Sequence, residues 1–355
     1  MKKILVLGAG KIGIAVAHML RDVGGYDVTL GDALAMSHGT DDSNPVRRVQ
    51  LDVNDSVSLR KCLGKHEAVI STLPFFLCLP VAEAARALGV HYFDPTEDVH
   101  TARRIREIAT GANTVFAPQS GLAPGFVAIV AQHLVDRFDE PHDVRLRVGA
   151  LPQFPDNMLK YNLTWSTDGL INEYCNPCEV IHEGERRDAV PIEGLEQFSL
   201  DGSQYEAFAT SGGVGSLCET LAGRVRNLNY KTIRYPGHRD MIRMLVNDLK
   251  LCSRRDVFKD VIEHGIPVTR QDVVVIFVSV SGMKDGRLVQ ESYAKRIYAE
   301  GGDGRWSAIQ LTTASAICAV VDLVAAGALP LAGFIKQEQI GYDAFTTNRF
   351  GRVYA

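Results

Sequence analysis

Short apolar runs alternate with helical spacings through the first part of the chain. Residues 3–7 (KILVL) are continuously apolar, the pattern of a strand buried on both faces of a parallel sheet. Gly8-Ala9-Gly10-Lys11-Ile12-Gly13 follows at once, and Ile12, Val16, Met19 and Leu20 recur at helical spacing up to Gly24-Gly25. Further strands are predicted at 26–30, 46–51, 67–73, 90–93 and 114–117, with helices at 56–63, 79–88 and 101–109. Strands and helices alternating at this spacing predict an α/β fold, a doubly wound parallel sheet of Rossmann type.

The pattern changes after Gly121-Leu122-Ala123-Pro124-Gly125. A helix at 126–138 leads into alternating segments at 144–149, 159–165, 190–192 and 205–209, separated by long turn-rich stretches. Residues 273–281 and 287–298 read as a hairpin around Lys284-Asp285-Gly286. A long alanine-rich helix is predicted at 307–326. The expected organisation is residues 1–122 as the first domain, 123–306 as a second α+β domain, and 307–355 as a closing helix that returns to the first.

Composition narrows the class. The 355 residues carry 38 Lys and Arg against 42 Asp and Glu, a formal charge of −4, which argues against nucleic-acid binding by bulk charge. Hydrophobic residues at 46% and charged residues at 23% fit a globular protein. Seven scattered cysteines are an odd number in a long chain, so free thiols and a cytoplasmic protein are expected. The start MKKILVLGAG has too short an apolar run for a signal peptide, and the apolar run 314–329 contains Asp322 and is shorter than the ~20 residues of a membrane span. No membrane or nucleic-acid partner is expected.

The glycine motif sits directly after a buried strand and opens a helix, and Asp32 ends the next strand 19 residues past Gly13. That is the context of a dinucleotide fingerprint. Gly8 permits the tight turn, Gly10 lets backbone amides of the Gly10-Lys11-Ile12 segment approach a pyrophosphate, and Gly13 lets the helix pack closely on the strand. Asp32 is placed to accept from the ribose hydroxyls and to repel a 2′-phosphate, so NAD is expected over NADP. Ligands lie at the carboxyl ends of parallel strands. Asp52 and Val53 are therefore placed beside the adenine, and Ser71, Thr72, Leu73 and Pro74 beside the nicotinamide half. Asp94 and Glu97, in Asp94-Pro95-Thr96-Glu97, fall on the substrate side.

Four segments of the second domain carry candidate chemistry. Within Lys231-Thr232-Ile233-Arg234-Tyr235-Pro236-Gly237-His238, Arg234 suits a planar carboxylate and His238 can exchange a proton near neutral pH. Thr210-Ser211-Gly212-Gly213 offers hydroxyls and open amides, and also reads as a plain loop. Lys160 and Asn162 fall on one face of a predicted strand, with Tyr161 on the other. Cys175-Asn176-Pro177-Cys178 with His182 has only half the ligands of a structural zinc site, so no metal is expected.

Taken together, the fingerprint, GLAPG at 121–125, Leu159-Lys160-Tyr161-Asn162, Thr210-Ser211-Gly212-Gly213 and Tyr230 to His238 resemble the saccharopine dehydrogenase family, with the lysine 6-dehydrogenases the nearest in look. The resemblance runs over nearly the whole chain. It implies an NAD(P)-binding Rossmann domain joined to a substrate-binding and dimerisation domain, hence a homodimer through the second domain. It also implies an enzyme that oxidises a C–N bond of a small amino acid, lysine or saccharopine, by hydride transfer and imine hydrolysis. In that reading His238, Asp94 or Glu97 is the base. Arg234, with Lys231, Lys160, Asn162, Thr210 and Ser211, binds substrate. A semialdehyde- or homoserine-type dehydrogenase and a cofactor-binding sensor or scaffold without turnover remain as alternatives.

Overall fold

Residues 1–34, 46–299 and 305–355 are described by the structure, a computed structural model. The chain divides into two compact units, Met1–Phe126 with Thr312–Ala355, and Val127–Leu311.

The first unit is built on β1 (Lys3–Leu7), α1 (Lys11–Asp22), β2 (Asp27–Asp32), β3 (Arg47–Gln50), α2 (Ser56–Leu63), β4 (Ala68–Ser71), α3 (Cys78–Leu88), β5 (His91–Phe93), α4 (Val99–Ile108) and β6 (Val115–Ala117). The sheet order is β3-β2-β1-β4-β5-β6, extended beyond β6 by the short strand Gly333–Phe334, and every pair is parallel. The Rossmann-type fold expected from the alternation is the one found. Central β1 is sealed, with Ile4, Leu5 and Val6 fully buried. On one side Leu5, Val69 and Phe116 pack with Leu59, Val81 and Ile105 of the crossover helices. Each such side chain removed from water contributes roughly 1.5–3 kcal/mol. Helix starts are marked by Asp55, whose carboxylate accepts from the Val57 and Ser58 amides, and Asp98, which accepts from Thr101. In the GLAPG turn Gly125 has φ +136°, and a Cβ there would lie 1.9 Å from the Gly121 carbonyl oxygen, so only glycine fits.

The second unit follows α5 (Phe126–Val135). Its sheet comprises β7 (Glu140–Pro152), β8 (Cys178–His182), β9 (Glu185–Ala189), β10 (Glu196–Leu200), β11 (Ser203–Ala209), β12 (Asn227–Arg234), β13 (Asp272–Lys284) and β14 (Arg287–Tyr298). Along β10-β11-β12-β7-β13-β14 all neighbours are antiparallel except β12 and β7, and the β8–β9 hairpin hangs from β12. Helices α6 (Thr167–Cys175), α7 (Leu217–Leu221), α8 (His238–Arg243) and α9 (Arg255–Gly265) complete it. Leu170, Tyr174, Phe208, Ile242, Phe258 and Ile262 form one of its cores.

Three expectations are corrected here. The segment 159–165 is not a strand, because Lys160 turns the chain at φ +50°, so no strand alternation places Lys160 and Asn162. Residues 190–192 are a turn after β9, whose sequence ERRDA, four charged residues and one alanine, hides it from hydrophobic patterning. Finally, Cys175 is not a free thiol: it forms a disulfide with Cys252, 77 residues later.

Helix α10 (Ala308–Ala325) closes the fold. Its first amides, Ala308 and Ile309, donate to the buried Asp272 carboxylate at 2.6 and 3.0 Å. By length and composition it could cross a membrane, yet 67% of it is buried inside the protein. In the first unit it packs on α1, with the Cys318 thiol directed at the Val16 carbonyl, and Asp322 is bonded by Tyr26, Asn348 and Arg349.

Candidate active site: a glycine cradle and a buried polar cluster

The glycine loop has the geometry of an anion cradle. Gly8 has φ +99°, and its amide donates to the Gly31 carbonyl at 2.8 Å, locking the loop to β2. A Cβ on Gly13 would sit 1.8 Å from the Gly8 carbonyl oxygen and 2.5 Å from the Thr72 hydroxyl oxygen, so the helix can approach the strand only without a side chain. A Cβ on Gly10 would meet nothing within 4 Å. Open space therefore lies over the first turn of α1, where Gly10, Lys11 and Ile12 are reachable and no side chain caps the helix. The backbone amides and the helix dipole at that turn suit a diphosphate. Thr72 braces the loop from β4, its hydroxyl donating to the Leu7 and Gly8 carbonyls at 2.8 and 3.1 Å.

Other positions expected around the cofactor divide between surface and core. The Asp52 carboxylate is exposed and accepts from Asn54, whereas Val53 points into the core. Ser71 is fully buried, 3.5 Å from the Cys78 sulfur. Leu73 leans on the core, and Pro74 is exposed. Asp94 is also fully buried: its carboxylate accepts from the Thr96 and Gln119 amides at 2.8 and 3.2 Å, tying the loop after β5 to the loop after β6. Burial raises its carboxyl pKa to about 6. Glu97, on the same loop, is half-buried.

The second unit gathers a separate polar cluster, assembled from distant segments. Arg234 ends β12, and its guanidinium lies over the Tyr161 ring at 4.9 Å. Arg234 Nε donates to the Tyr174 hydroxyl at 3.2 Å, and that hydroxyl lies 2.9 Å from His238 Nε2. His238 Nδ1 is 2.8 Å from the Leu159 carbonyl, which can only accept, so Nδ1 carries the proton and Nε2 accepts from Tyr174. Burial, reinforced by the Arg234 charge, lowers the His238 pKa to about 3, so the ring is neutral. Glu173 approaches Arg234 Nη2 at 3.7 Å, and its backbone carbonyl accepts from the Ser211 amide. The Ser211 hydroxyl is used by the Pro177 carbonyl. Asn162 Oδ1 and the Thr210 hydroxyl are buried and find no hydrogen-bond partner among the described residues. Buried polar atoms of this kind cost stability unless something pairs with them.

The two lysines do not join this cluster. Lys160 is exposed and its ammonium donates to the Pro236 carbonyl. Lys231 alternates with Arg234 along β12 and so faces the other side of the sheet. There it contacts Glu196 at 2.6 Å beside buried Arg147, which grips the same carboxylate at 2.8 and 2.9 Å. Burial lowers the Lys231 pKa, against the pull of Glu196. Sequence reading also missed Glu206. Its carboxylate accepts from the Gly237 and Arg239 amides at 2.9 and 2.6 Å, fixing the backbone on both sides of His238. Nothing in the sequence marks it, because it meets Gly237 only through the β11–β12 register, in which Glu206 lies opposite Arg234. Among the described residues no group of three or more potential metal ligands occurs.

Comparison with known proteins agrees with this architecture. The sequence model of the saccharopine dehydrogenase NADP binding domain matches residues 4–116, and that of the saccharopine dehydrogenase C-terminal domain matches residues 121–350. The chain is 25% identical over 334 residues to mitochondrial alpha-aminoadipic semialdehyde synthase of Bos taurus, covering 85% of this chain and 34% of that protein. It is 24% identical over 264 residues to saccharopine dehydrogenase (NADP(+), L-glutamate-forming) of Pyricularia oryzae, covering 69% and 57%. It thus spans less than two-thirds of either relative. The apo saccharopine dehydrogenase (L-Glu forming) structure from Saccharomyces cerevisiae superposes with a TM-score of 0.77 at 16% identity, over 95% of this chain and 94% of that one, which shows a shared fold.

These matches overturn the expected preference for NAD over NADP: the matching domain is described as NADP-binding, and the matched dehydrogenases are named for NADP(+). The inference from Asp32 fails for a physical reason. Its carboxylate has a structural task that needs no ribose: it accepts from the Ala9 amide at 2.7 Å and the Leu34 amide at 2.9 Å, bracing the glycine loop, so an acid at this position is not by itself a coenzyme signature.

Proposed function

The chain belongs to the saccharopine dehydrogenase family, and from that premise we propose that it is an oxidoreductase of lysine metabolism that acts on a C–N bond of an amino acid with NADP(H). The observation that carries the reading is the glycine cradle, open over Gly10 and closed everywhere a side chain would intrude. Gly8 to Gly13 and Thr72 are the residues that hold the coenzyme. Bound there, a nicotinamide dinucleotide supplies the hydride acceptor.

The cluster of the second unit supports an amino-acid substrate. Arg234 offers positive charge to a carboxylate, and the unpaired oxygens of Asn162 and Thr210 suit an amine. His238, neutral and engaged at both ring nitrogens, orients Tyr174 rather than receiving a proton. Asp94 positions its loop through backbone amides, and the half-buried Glu97 of the same loop is the base in this reading. Glu97→Gln is expected to lower kcat by about 10²–10³ with coenzyme affinity unchanged.

The deciding experiment follows the absorbance of reduced nicotinamide with lysine, saccharopine and polyamine conjugates, each with NADP+ and with NAD+. Turnover of an amino acid with NADP+ supports the assignment. Coenzyme binding without turnover of any compound overturns it in favour of a sensor.

A further inference from the structure

We propose that Cys175 and Cys252 form a reversible thiol–disulfide modification site, open to a dithiol reductant, whose oxidised state holds the second unit's polar cluster in place. The functional consequence rests on the reading of that cluster as an amino-acid site; the chemistry of the bond does not.

Position makes the case. Cys175 is the last residue of α6, and Cys252 lies in the short turn Leu251–Ser253, with Cα atoms 5.5 Å apart. The two residues before Cys175 are Glu173 and Tyr174, the latter bridging Arg234 and His238. A covalent bond at the end of α6 therefore acts within one residue of the network. The polar ties between α6 and the segment after Cys252 are Arg255 to Asn172 and Asn176, at 2.7 and 2.6 Å, and Lys259 to Asp168 at 2.7 Å. These non-covalent contacts can break and re-form, whereas the disulfide ties the two segments covalently. Apolar packing of Leu251, Phe258 and Ile262 against Leu170 and Tyr174 persists without it, so reduction loosens α6 and does not release it.

Both sulfurs belong to half-buried residues, unlike the buried thiols of the chain. The expected exchange follows. A dithiol thiolate attacks the Cys175 sulfur, the S–S bond breaks, and Cys252 leaves as thiolate. The reductant's second thiolate then attacks the mixed disulfide, freeing Cys175. Two electrons and two protons pass to the protein, and the dithiol becomes a disulfide. Cys78, Cys178, Cys218 and Cys318 are buried, and burial raises the Cys178 and Cys218 thiols to about 12, so they do not compete.

The test uses the full chain, oxidised in air or reduced with dithiothreitol. Iodoacetamide labelling read by peptide mass should modify Cys175 and Cys252 only after reduction. Hydrogen exchange of 167–175 should speed up about fivefold on reduction. With an active substrate, KM for the amino acid should rise by a similar factor while NADP+ affinity stays constant. A Cys175→Ser/Cys252→Ser variant should match the reduced protein and ignore the dithiol, and Cys252→Ala alone serves if the double variant misfolds. Labelling of both cysteines before reduction, or identical exchange in the two states, overturns the proposal. Absence of turnover in both states counts against the functional reading alone, because labelling and exchange still judge the switch.

Discussion

Gly10 and Gly13 stand three positions apart in one motif and differ completely in what a methyl group would do. A Cβ at Gly13 collides with the Gly8 carbonyl, whereas one at Gly10 enters open space. Gly13→Ala should therefore lower thermal stability, and Gly10→Val should leave the melting temperature nearly unchanged while weakening NADP+ binding at least about tenfold by calorimetry. Two buried titratable groups set opposite pH responses. The His238 pKa falls from 6.5 to about 3 on folding, so its contribution is complete above 6.5 and is lost as pH drops towards 3. The Asp94 pKa rises from 3.8 to about 6, so the folded state is favoured below 3.8 and that advantage is lost as pH climbs through 6. Denaturation of His238→Gln should lack the first slope, on the order of 5 kcal/mol, and that of Asp94→Asn the second, on the order of 3 kcal/mol. At this scale the roles of the glycines were legible, because backbone sterics act locally. That Asp94 and His238 are spent on backbone carbonyls, amides and a tyrosine was not, because their partners are distant in sequence.

Among the elements, β12 is the one whose two faces carry different chemistry. Arg234 faces the Tyr174–His238 network, and Lys231 faces Glu196 and Arg147. Lys231→Ala should leave the substrate KM unchanged and cost about 1 kcal/mol or less in urea denaturation. Glu196→Ala strands the buried Arg147 guanidinium, a loss of roughly 3–5 kcal/mol for a fully enclosed pair, reduced here to about 2–3 kcal/mol by the exposed side of Glu196. A KM change with Lys231→Ala would return that residue to the substrate site. Strand alternation places Lys231 and Arg234 on opposite faces once β12 is known, yet the octapeptide looks like one cationic turn until the sheet is built. The β9 strand and α6 were missed for opposite reasons: β9 is exposed and almost wholly polar, so it carries no apolar alternation, whereas α6 is buried on nearly every side, polar residues included, so it shows no amphipathic stripe.

As a whole molecule, the chain leaves its first unit after Phe126 and re-enters it at Thr312. The re-entering part of α10 buries Ala314 and Ala316 to Val321, and Phe126 stacks on Tyr354 at 4.0 Å. Residues 1–126 expressed alone should therefore lack the dispersed amide spectrum of a packed domain, and covalent rejoining with 312–355 should restore it. A well-dispersed spectrum from 1–126 alone would show that the returning segment is dispensable to the first unit. The linear chain determined the parallel α/β sheet and the glycine cradle, because buried strands, helical spacing and glycine sterics are written over a few neighbouring residues. Tertiary structure decided the rest: that Asp32 braces the loop, that Glu206 frames His238, and that Cys175 finds Cys252. Each depends on register and chain return across tens or hundreds of residues, which local pattern does not encode.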